Sequence, residues 1–346
     1  MMSANKLEAS SRQTVNRQKY IVILIVVLAA IVLIVSLSSF YRREVRYAHL
    51  NLKRYVDNPV IFPDGEGFDA SATFNPAAVV KDGKVYLFYR AQEVWFGTSV
   101  IGLAVSEDGF HFEKMDEPII VPEYEWELLG GCEDPRIVKI NDTYYMTYTA
   151  YDKKVARLAL ARSKDLIHWE KLGIVFPEWG WSKSGAIIPV KINGYYWMYF
   201  GDSSIWIARS KDMVHWETDR DWIVLKPRRG YFDSKLVEPG PPPIIVGDKI
   251  LLIYNGADDN LVYSVGWAIF SLEDPTKLIA RAEKPILTPE TYWEKFGQVR
   301  NVVFAEGLVY FNGKWFLYYG AADTFVCVAV ADSLESLIGY PLRSGG

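Results

Sequence analysis

Histidine and cysteine are scarce in this chain: of 346 residues, four are His and two are Cys. The spacing of Cys132 and Cys327 fits neither a metal site nor a disulfide framework, so both read as buried thiols. No Ser-His-Asp or Cys-His arrangement is suggested by position, and neither a metal nor an organic cofactor is expected. An excess of one charge is also lacking. The 38 Lys and Arg are interspersed with 42 Asp and Glu, for a net charge of −4. Without a basic stripe to follow a phosphate backbone, nucleic acid is excluded as the partner.

Aromatic residues are plentiful, at 15 % with 12 Trp and 22 Tyr. They suit strands and surfaces that stack on sugars. One long apolar run stands apart, Tyr20 to Phe40, with 21 residues and no charge. Its length predicts a helix able to span a bilayer. A cleaved signal peptide is the alternative, since Ser36-Leu37-Ser38 is small enough to be cut. Basic residues flank the run on both sides, so orientation rests on topology alone. A single anchor with a large C-terminal domain most simply places that domain on the extracytoplasmic side. The expected organisation is a tail over 1–19, a transmembrane anchor over 20–40, a linker over 41–57 and a globular domain over 58–340.

That domain repeats itself. Five apolar scraps end in proline: NPVIFP (58–63), EPIIVP (117–122), GIVFP (173–177), IVLKP (223–227) and KPILTP (284–289), with the final prolines 50 to 62 residues apart. Each is followed by a strand, a polar turn and an aromatic-rich strand, beginning near Asn75, Asp134, Ser184, Pro239 and Asn301. Asp82-Gly83, Asn193-Gly194 and Asn312-Gly313 are the dipeptides that two-residue hairpins prefer. A third element, SEDGFHFE, SKDLIHWE or SKDMVHWE, closes three of the units. Its His111, His168 and His215 recur at one position, which implies one structural task in a turn rather than a metal site. About four short strands per unit, repeated five times, predict an all-β, five-bladed β-propeller, because radial packing buries sheet faces that one sheet cannot bury alone. A β-sandwich is the bland alternative, and the order of the repeats argues against it.

In a propeller the innermost strands line a channel, and their first residues meet at its mouth. Asn75, Asp134, Ser184, Glu238 and Asn301 fall there, with Arg90, Asp202, Asn255 and Asp323 from the far ends of the same hairpins. GGCEDPR (130–136) sets two carboxylates and an arginine just before a strand. Its plain structural reading is a turn in which Asp134 caps backbone amides and Arg136 pairs with Glu133. DSKLVEPGPPPI (233–244) places Lys235 and Glu238 ahead of prolines that stiffen the chain; it is otherwise a simple linker. Glu306 interrupts an apolar strand, so it either faces the channel or pairs with a cation. Carboxylates, amides and aromatics with few histidines suit glycosidic chemistry, which needs an acid and a base across a sugar ring.

The stretches FNPAAVV, GCEDPRIVKINDTYYMTYTAYD, VRNVVFAEG and YYGAADTFVCVA resemble glycoside hydrolase family 130, the five-bladed β-mannoside phosphorylases and β-mannosidases, and the likeness runs from about 58 to 330. The resemblance implies a mannoside oligosaccharide as substrate, with Asp134 as general acid. It implies that Asn75, Arg90, Arg136, Asn301 and Asp323 bind or frame the sugar. Phosphorylases of the family carry a His-Arg pair where this chain reads Phe200-Gly201-Asp202, and a histidine where it has Asn255. Lys235 survives. Glu238 and Glu306 stand where phosphorylases carry small or uncharged residues, as in the family's hydrolases of β-1,2-mannosides. The expectation is therefore an inverting hydrolase with Asp134, Glu238 and Glu306 as its catalytic carboxyl groups and Asp202 beside them. Two rivals remain: a phosphorylase with a divergent phosphate site of Lys235, Arg136 and Arg300, and a non-catalytic mannoside-binding propeller.

Overall fold

The computed structural model describes residues 25–32 and 50–342. The chain divides into one unit over Met1–Ala48 and another over His49–Gly346. In the first, 25–32 are helical, and among the described residues no helix is long and apolar enough to cross a membrane. A helix of this length rises about 12 Å, against a hydrocarbon core of about 30 Å. The expected single-pass anchor over Tyr20–Phe40, and with it a domain held on the extracytoplasmic side, is corrected accordingly. Positions 20–24 and 33–40 of that stretch lie outside the described residues.

The second unit is an all-β five-bladed propeller. Blade 1 pairs Ala72–Lys81, Lys84–Gln92, Val100–Ser106 and Glu113–Lys114 in that order, antiparallel throughout. Blade 2 repeats the order with Gly131–Ile140, Thr143–Tyr151, Ala156–Ser163 and Glu170–Ile174. Blade 3 uses Ala186–Ile187, Tyr196–Phe200, Ile205–Ser210 and Trp216–Leu225. In blade 4 the inner strand is split into Leu236–Pro239 and Ile244–Val246, both on Lys249–Ala257, followed by Tyr263–Ser271 and Leu278–Arg281. Three prolines, Pro241 to Pro243, lie in the gap, where their missing N–H groups cannot join a ladder.

Blade 5 pairs Val303–Phe311, Lys314–Ala321 and Phe325–Ala331, and its fourth strand is Lys53–Arg54 from the beginning of the unit. Blade residues thus lie within the segment expected to be linker. The scrap NPVIFP completes this junction: Val60 N–H donates to the Val326 carbonyl at 2.8 Å and Val326 N–H to that of Ile61 at 2.9 Å. Asn58 grips Val328 twice, donating to its carbonyl and accepting from its N–H, both at 2.9 Å. The other scraps do the same for their own preceding blades, Ile119 and Ile120 on Ile101, Val175 on Leu158, and Leu287 on Val265. Each scrap therefore ends one blade rather than starting the next, and the first in sequence ends the last blade.

The apolar interior is divided by the same logic. Five buried clusters fall one at each junction between neighbouring blades, such as Phe88 and Leu103 of blade 1 with Met146 and Tyr148 of blade 2. Cys132 and Cys327 are free thiols buried in two of them. The histidines of the third element close turns: His111, His168 and His215 each bring Nδ1 within 2.7 to 2.8 Å of Asp108, Asp165 and Asp212, three residues earlier.

Asn58→Ala leaves the N–H of Val328 unpaired at the ring closure, and its carbonyl with Tyr55 N–H alone at 3.0 Å. The expected cost is about 1–3 kcal/mol, read as a lower urea midpoint. An unchanged midpoint would mean that Lys53–Arg54 holds the ring without it.

Candidate active site

The mouth residues reach their places through irregular backbone. Ladder register shifts between Phe74 and Ala77, and again between Glu133 and Arg136, so Asn75-Pro76 and Asp134-Pro135 form bulges. A proline fits there because the bulge leaves a ladder position unpaired. Asn75 and Asp134 take left-handed φ values of 49° and 51°, which Asn and Asp tolerate better than other side chains. A bulge turns a side chain off the regular alternation, and here it aims two polar groups at each other. Asn75 Nδ2 donates to Asp134 Oδ1 at 2.9 Å.

Arg90 arrives from the end of the second strand of blade 1. Its Nη1 lies 3.3 Å from Asp134 Oδ1 and its Nη2 2.6 Å from Glu133 Oε1, while Nε donates to Ser99 Oγ at 2.9 Å. Glu133 thus pairs with Arg90, not with Arg136 as the turn reading had it. On the other side of Asp134 stands Lys183, a residue that sequence reasoning missed. Its Nζ is 3.5 Å from Asp134 Oδ2 and 3.2 Å from Glu238 Oε1, and Ser184 Oγ donates to the same Glu238 oxygen. One ammonium therefore spans the first residues of blades 2 and 4, leaving those two oxygens no more than about 7 Å apart. That limit touches the lower end of the roughly 6.5–9.5 Å that an inverting pair requires. The signal for Lys183 was its place just before the Ser184-Gly185 repeat start.

Arg136 does something other than frame a sugar. Its side chain is 1 % exposed. Nε and Nη2 donate to the carbonyls of Gly240 and Pro239 at 2.9 and 2.7 Å, and Nη1 to that of Asp134 at 3.1 Å. The guanidinium ties the strand of Asp134 to the end of the strand that carries Glu238. Glu306 sits 2.9 Å from Nη2, yet neither of its oxygens receives a directed hydrogen bond. Three of the guanidinium's N–H bonds point at backbone carbonyls and none is aligned with Glu306, so this contact is an ion pair without alignment. Glu306 is fully buried at a third bulge, between Ala305 and Gly307. In register, Ala305 is the blade 5 counterpart of Asn75 and Asp134, and Glu306 that of Pro76 and Pro135. Asn301 lies in the preceding loop, exposed, and offers its carbonyl to Tyr263 N–H at 3.0 Å.

Asp202 accepts from Trp181 Nε1 at 2.7 Å. Lys235 is exposed and pairs with no carboxylate among the described residues, and Arg300 is exposed over the Phe296 ring, so neither joins the cluster. Asn255 holds the backbone of Ala305 through two hydrogen bonds of 3.0 and 2.8 Å.

Six carboxyl groups (Glu133, Asp134, Asp202, Glu238, Glu306, Asp323) share this field with three cations, Arg90, Arg136 and Lys183. Burial alone would push Asp134 up, but Arg90, Lys183 and the bond from Asn75 outweigh it and hold its carboxyl well below the usual range. For Glu238 burial wins over Lys183, and its affinity for a proton rises. Burial also lifts Glu306 well above the ordinary value, against the pull of Arg136. Asp323, half-buried and desolvated against the pull of Arg90, is pushed up to about 6. The same field lifts the Tyr263 hydroxyl to about 12, burial first and Glu238 next.

The profile of glycoside hydrolase family 130, described as β-1,4-mannooligosaccharide phosphorylase, matches residues 49–338. A 1,2-β-oligomannan phosphorylase of Thermoanaerobacter sp. (strain X514) is 42 % identical over 294 residues, covering 82 % of this chain and 98 % of that protein. A crystal structure of a glycosyl hydrolase from Bacteroides ovatus superposes with a TM-score of 0.78 at 37 % identity, over 86 % of this chain and 98 % of that one. A further structure superposes with a TM-score of 0.78 at 35 % identity, over 85 % of this chain and 97 % of the other. It is described by the presence, among GH130 mannoside phosphorylases, of glycoside hydrolases that target β-1,2-mannosidic linkages in Candida mannan.

Because the Asp323 carboxyl is harder to ionise in the fold than in the unfolded chain, its contribution is present below pH 4. It is lost as pH rises through about 6, by roughly 3 kcal/mol for a shift of this size. Asp323→Asn is expected to flatten the decline in melting temperature between pH 4 and 7. A slope equal to that of the unmodified protein would place the titration on another carboxyl.

Proposed function

Since the chain belongs to glycoside hydrolase family 130, we propose that it hydrolyses β-mannosides with inversion, acting on β-1,2-linked manno-oligosaccharides. The observation that carries this reading is Glu238. It is a buried carboxyl at the mouth, facing Asp134 across one ammonium and holding its proton more tightly than usual. Water requires a carboxylate to take its proton, whereas phosphate is its own nucleophile and requires cations. Six carboxyl groups against three cations repel a phosphate dianion. Asp202 stands where the resemblance implies a cation in phosphorylases.

In this reading Asp134 protonates the leaving oxygen and Glu238 activates water on the opposite face of the sugar. The free site orders their proton affinities the other way, with Asp134 ionised. A sugar seated between the two displaces Lys183 from Asp134 and excludes water, and both changes raise the Asp134 pKa. Asn75 and Arg90 orient the Asp134 carboxyl, and Asp323 flanks the sugar site. Glu306 is fully buried against Arg136, so its part is to pack beside the guanidinium, whose bonds to the Asp134, Pro239 and Gly240 carbonyls fix the spacing of the two reacting carboxyl groups. Phosphorolysis is the second reading, favoured by the 42 % identity to a phosphorylase and by Lys183, a cation already at the mouth.

With β-1,2-mannobiose and no phosphate, proton NMR is expected to show free mannose released as the α-anomer. Mannose 1-phosphate formed only in added phosphate would replace hydrolysis with phosphorolysis. Glu238→Gln is expected to lower kcat by about 10²–10⁴ while mannobiose binding persists. A loss below tenfold would remove Glu238 from the chemistry.

A further inference from the structure

Beside the mouth stands a group of exposed apolar side chains that the reaction above does not use. The loop after the second strand of blade 1 presents Val94, Trp95 and Phe96, at 59, 54 and 61 % exposure. The loop leading into blade 2 presents Leu128 and Leu129, at 50 and 69 %. Two of these residues hold left-handed backbone, Phe96 with φ 56° and Leu129 with φ 76°. For bulky side chains that conformation is strained, and it persists only where the surroundings impose it. Here the strain holds apolar groups out in water.

The surroundings that impose it are hydrogen bonds. Phe96 N–H donates to Gln298 Oε1 at 2.6 Å, and Lys153 Nζ donates to the Phe96 carbonyl at 2.8 Å. Trp95 Nε1 donates to the Ser71 carbonyl at 3.0 Å, and Thr98 Oγ1 to that of Leu129 at 3.0 Å. Ser99 N–H donates to the Gly130 carbonyl at 2.8 Å and Cys132 N–H to the Ser99 carbonyl at 2.9 Å. Gly131 lies against Ser99 so closely that a Cβ would collide with its backbone. The two loops form one rigid wall. That wall is continuous with the site, since Ser99 Oγ accepts from Arg90 and Gln298 Nε2 donates to the Asp323 carbonyl at 2.6 Å.

A pyranose ring offers an apolar C–H face and a polar edge, which matches an aromatic and aliphatic wall rimmed by amides and a lysine. The five side chains carry no charge, which gives no hold on an anion. Their exposed area, roughly 500 Å², falls short of the roughly 800 Å² per partner that a stable dimer buries. We propose that this wall is a distal subsite for a neutral manno-oligosaccharide. It stacks sugar units of a longer chain beyond the bond that is cut, and it favours oligosaccharides over the disaccharide. The inference rests on the mannoside reading above.

The test is the ratio of kcat/KM for β-1,2-mannohexaose to that for β-1,2-mannobiose. In a Trp95→Ala, Phe96→Ala variant the ratio is expected to fall about tenfold, and Trp95→Phe is expected to keep it. A ratio within twofold of the unmodified protein, with the fold intact by circular dichroism, overturns the subsite. Binding separates this from the reaction itself. In Asp134→Asn, mannohexaose is expected to bind at least fivefold more tightly than mannobiose, and addition of the wall substitutions is expected to abolish that difference. If no turnover is seen with or without phosphate but this difference holds, the subsite stands and the hydrolytic reading falls. Sedimentation showing a dimer that the wall substitutions split into monomers would make the wall an interface between copies and overturn the proposal.

Discussion

A ring of sheets exists only if its two ends are joined. No single blade can bury both of its faces, and the interior of this unit is accordingly five clusters, each shared by two blades. One open junction would expose a face of blade 1 and a face of blade 5 together. The segment around Lys53–Arg54 and Asn58–Ile61 prevents this by completing the edge of the last blade. The convergence of Asn75, Asp134, Ser184, Glu238 and Glu306, which come from five different blades, depends on that closure.

Within the ring, the site is organised by a shortage of cations. Arg136 spends its hydrogen bonds on the carbonyls of Pro239, Gly240 and Asp134, leaving Glu306 with attraction but no aligned donor. Arg90 is shared by Glu133 and Asp134, and Lys183 by Asp134 and Glu238. Asp134 touches two of the three cations, so it stays ionised. Glu238, Glu306 and Asp323 receive less compensation for burial and hold protons more tightly. In a dry site such differences set which carboxyl group gives a proton and which takes one.

Much of the fold was legible because repetition is a local signal. The hairpin dipeptides and the histidine turns could be read from short stretches, and each forms in the structure the turn its pattern implied. The phase of the scraps was less legible, because a repeat looks the same whether it ends one blade or begins the next. Asn301 was placed with the mouth residues by its position ahead of a strand. The register puts Ala305 at the matching position, with the bulge at Glu306 just after it, and bulges leave no fixed mark in composition. Lys183 was overlooked because a lone lysine before Ser-Gly resembles any surface lysine.

By itself, the sequence determined the all-β class, the five-fold repeat, the family and the carboxyl groups at the heads of the inner strands. These follow from periodicity and from residue types, which are properties of neighbours along the chain. Only the tertiary structure decided which cation meets which carboxylate: Arg90 with Glu133, Lys183 between Asp134 and Glu238, and Arg136 turned inward to backbone carbonyls. Those pairings join residues up to 170 positions apart, Arg136 and Glu306 being the most distant. They are fixed by distance and direction across the channel, which the order of residues does not contain.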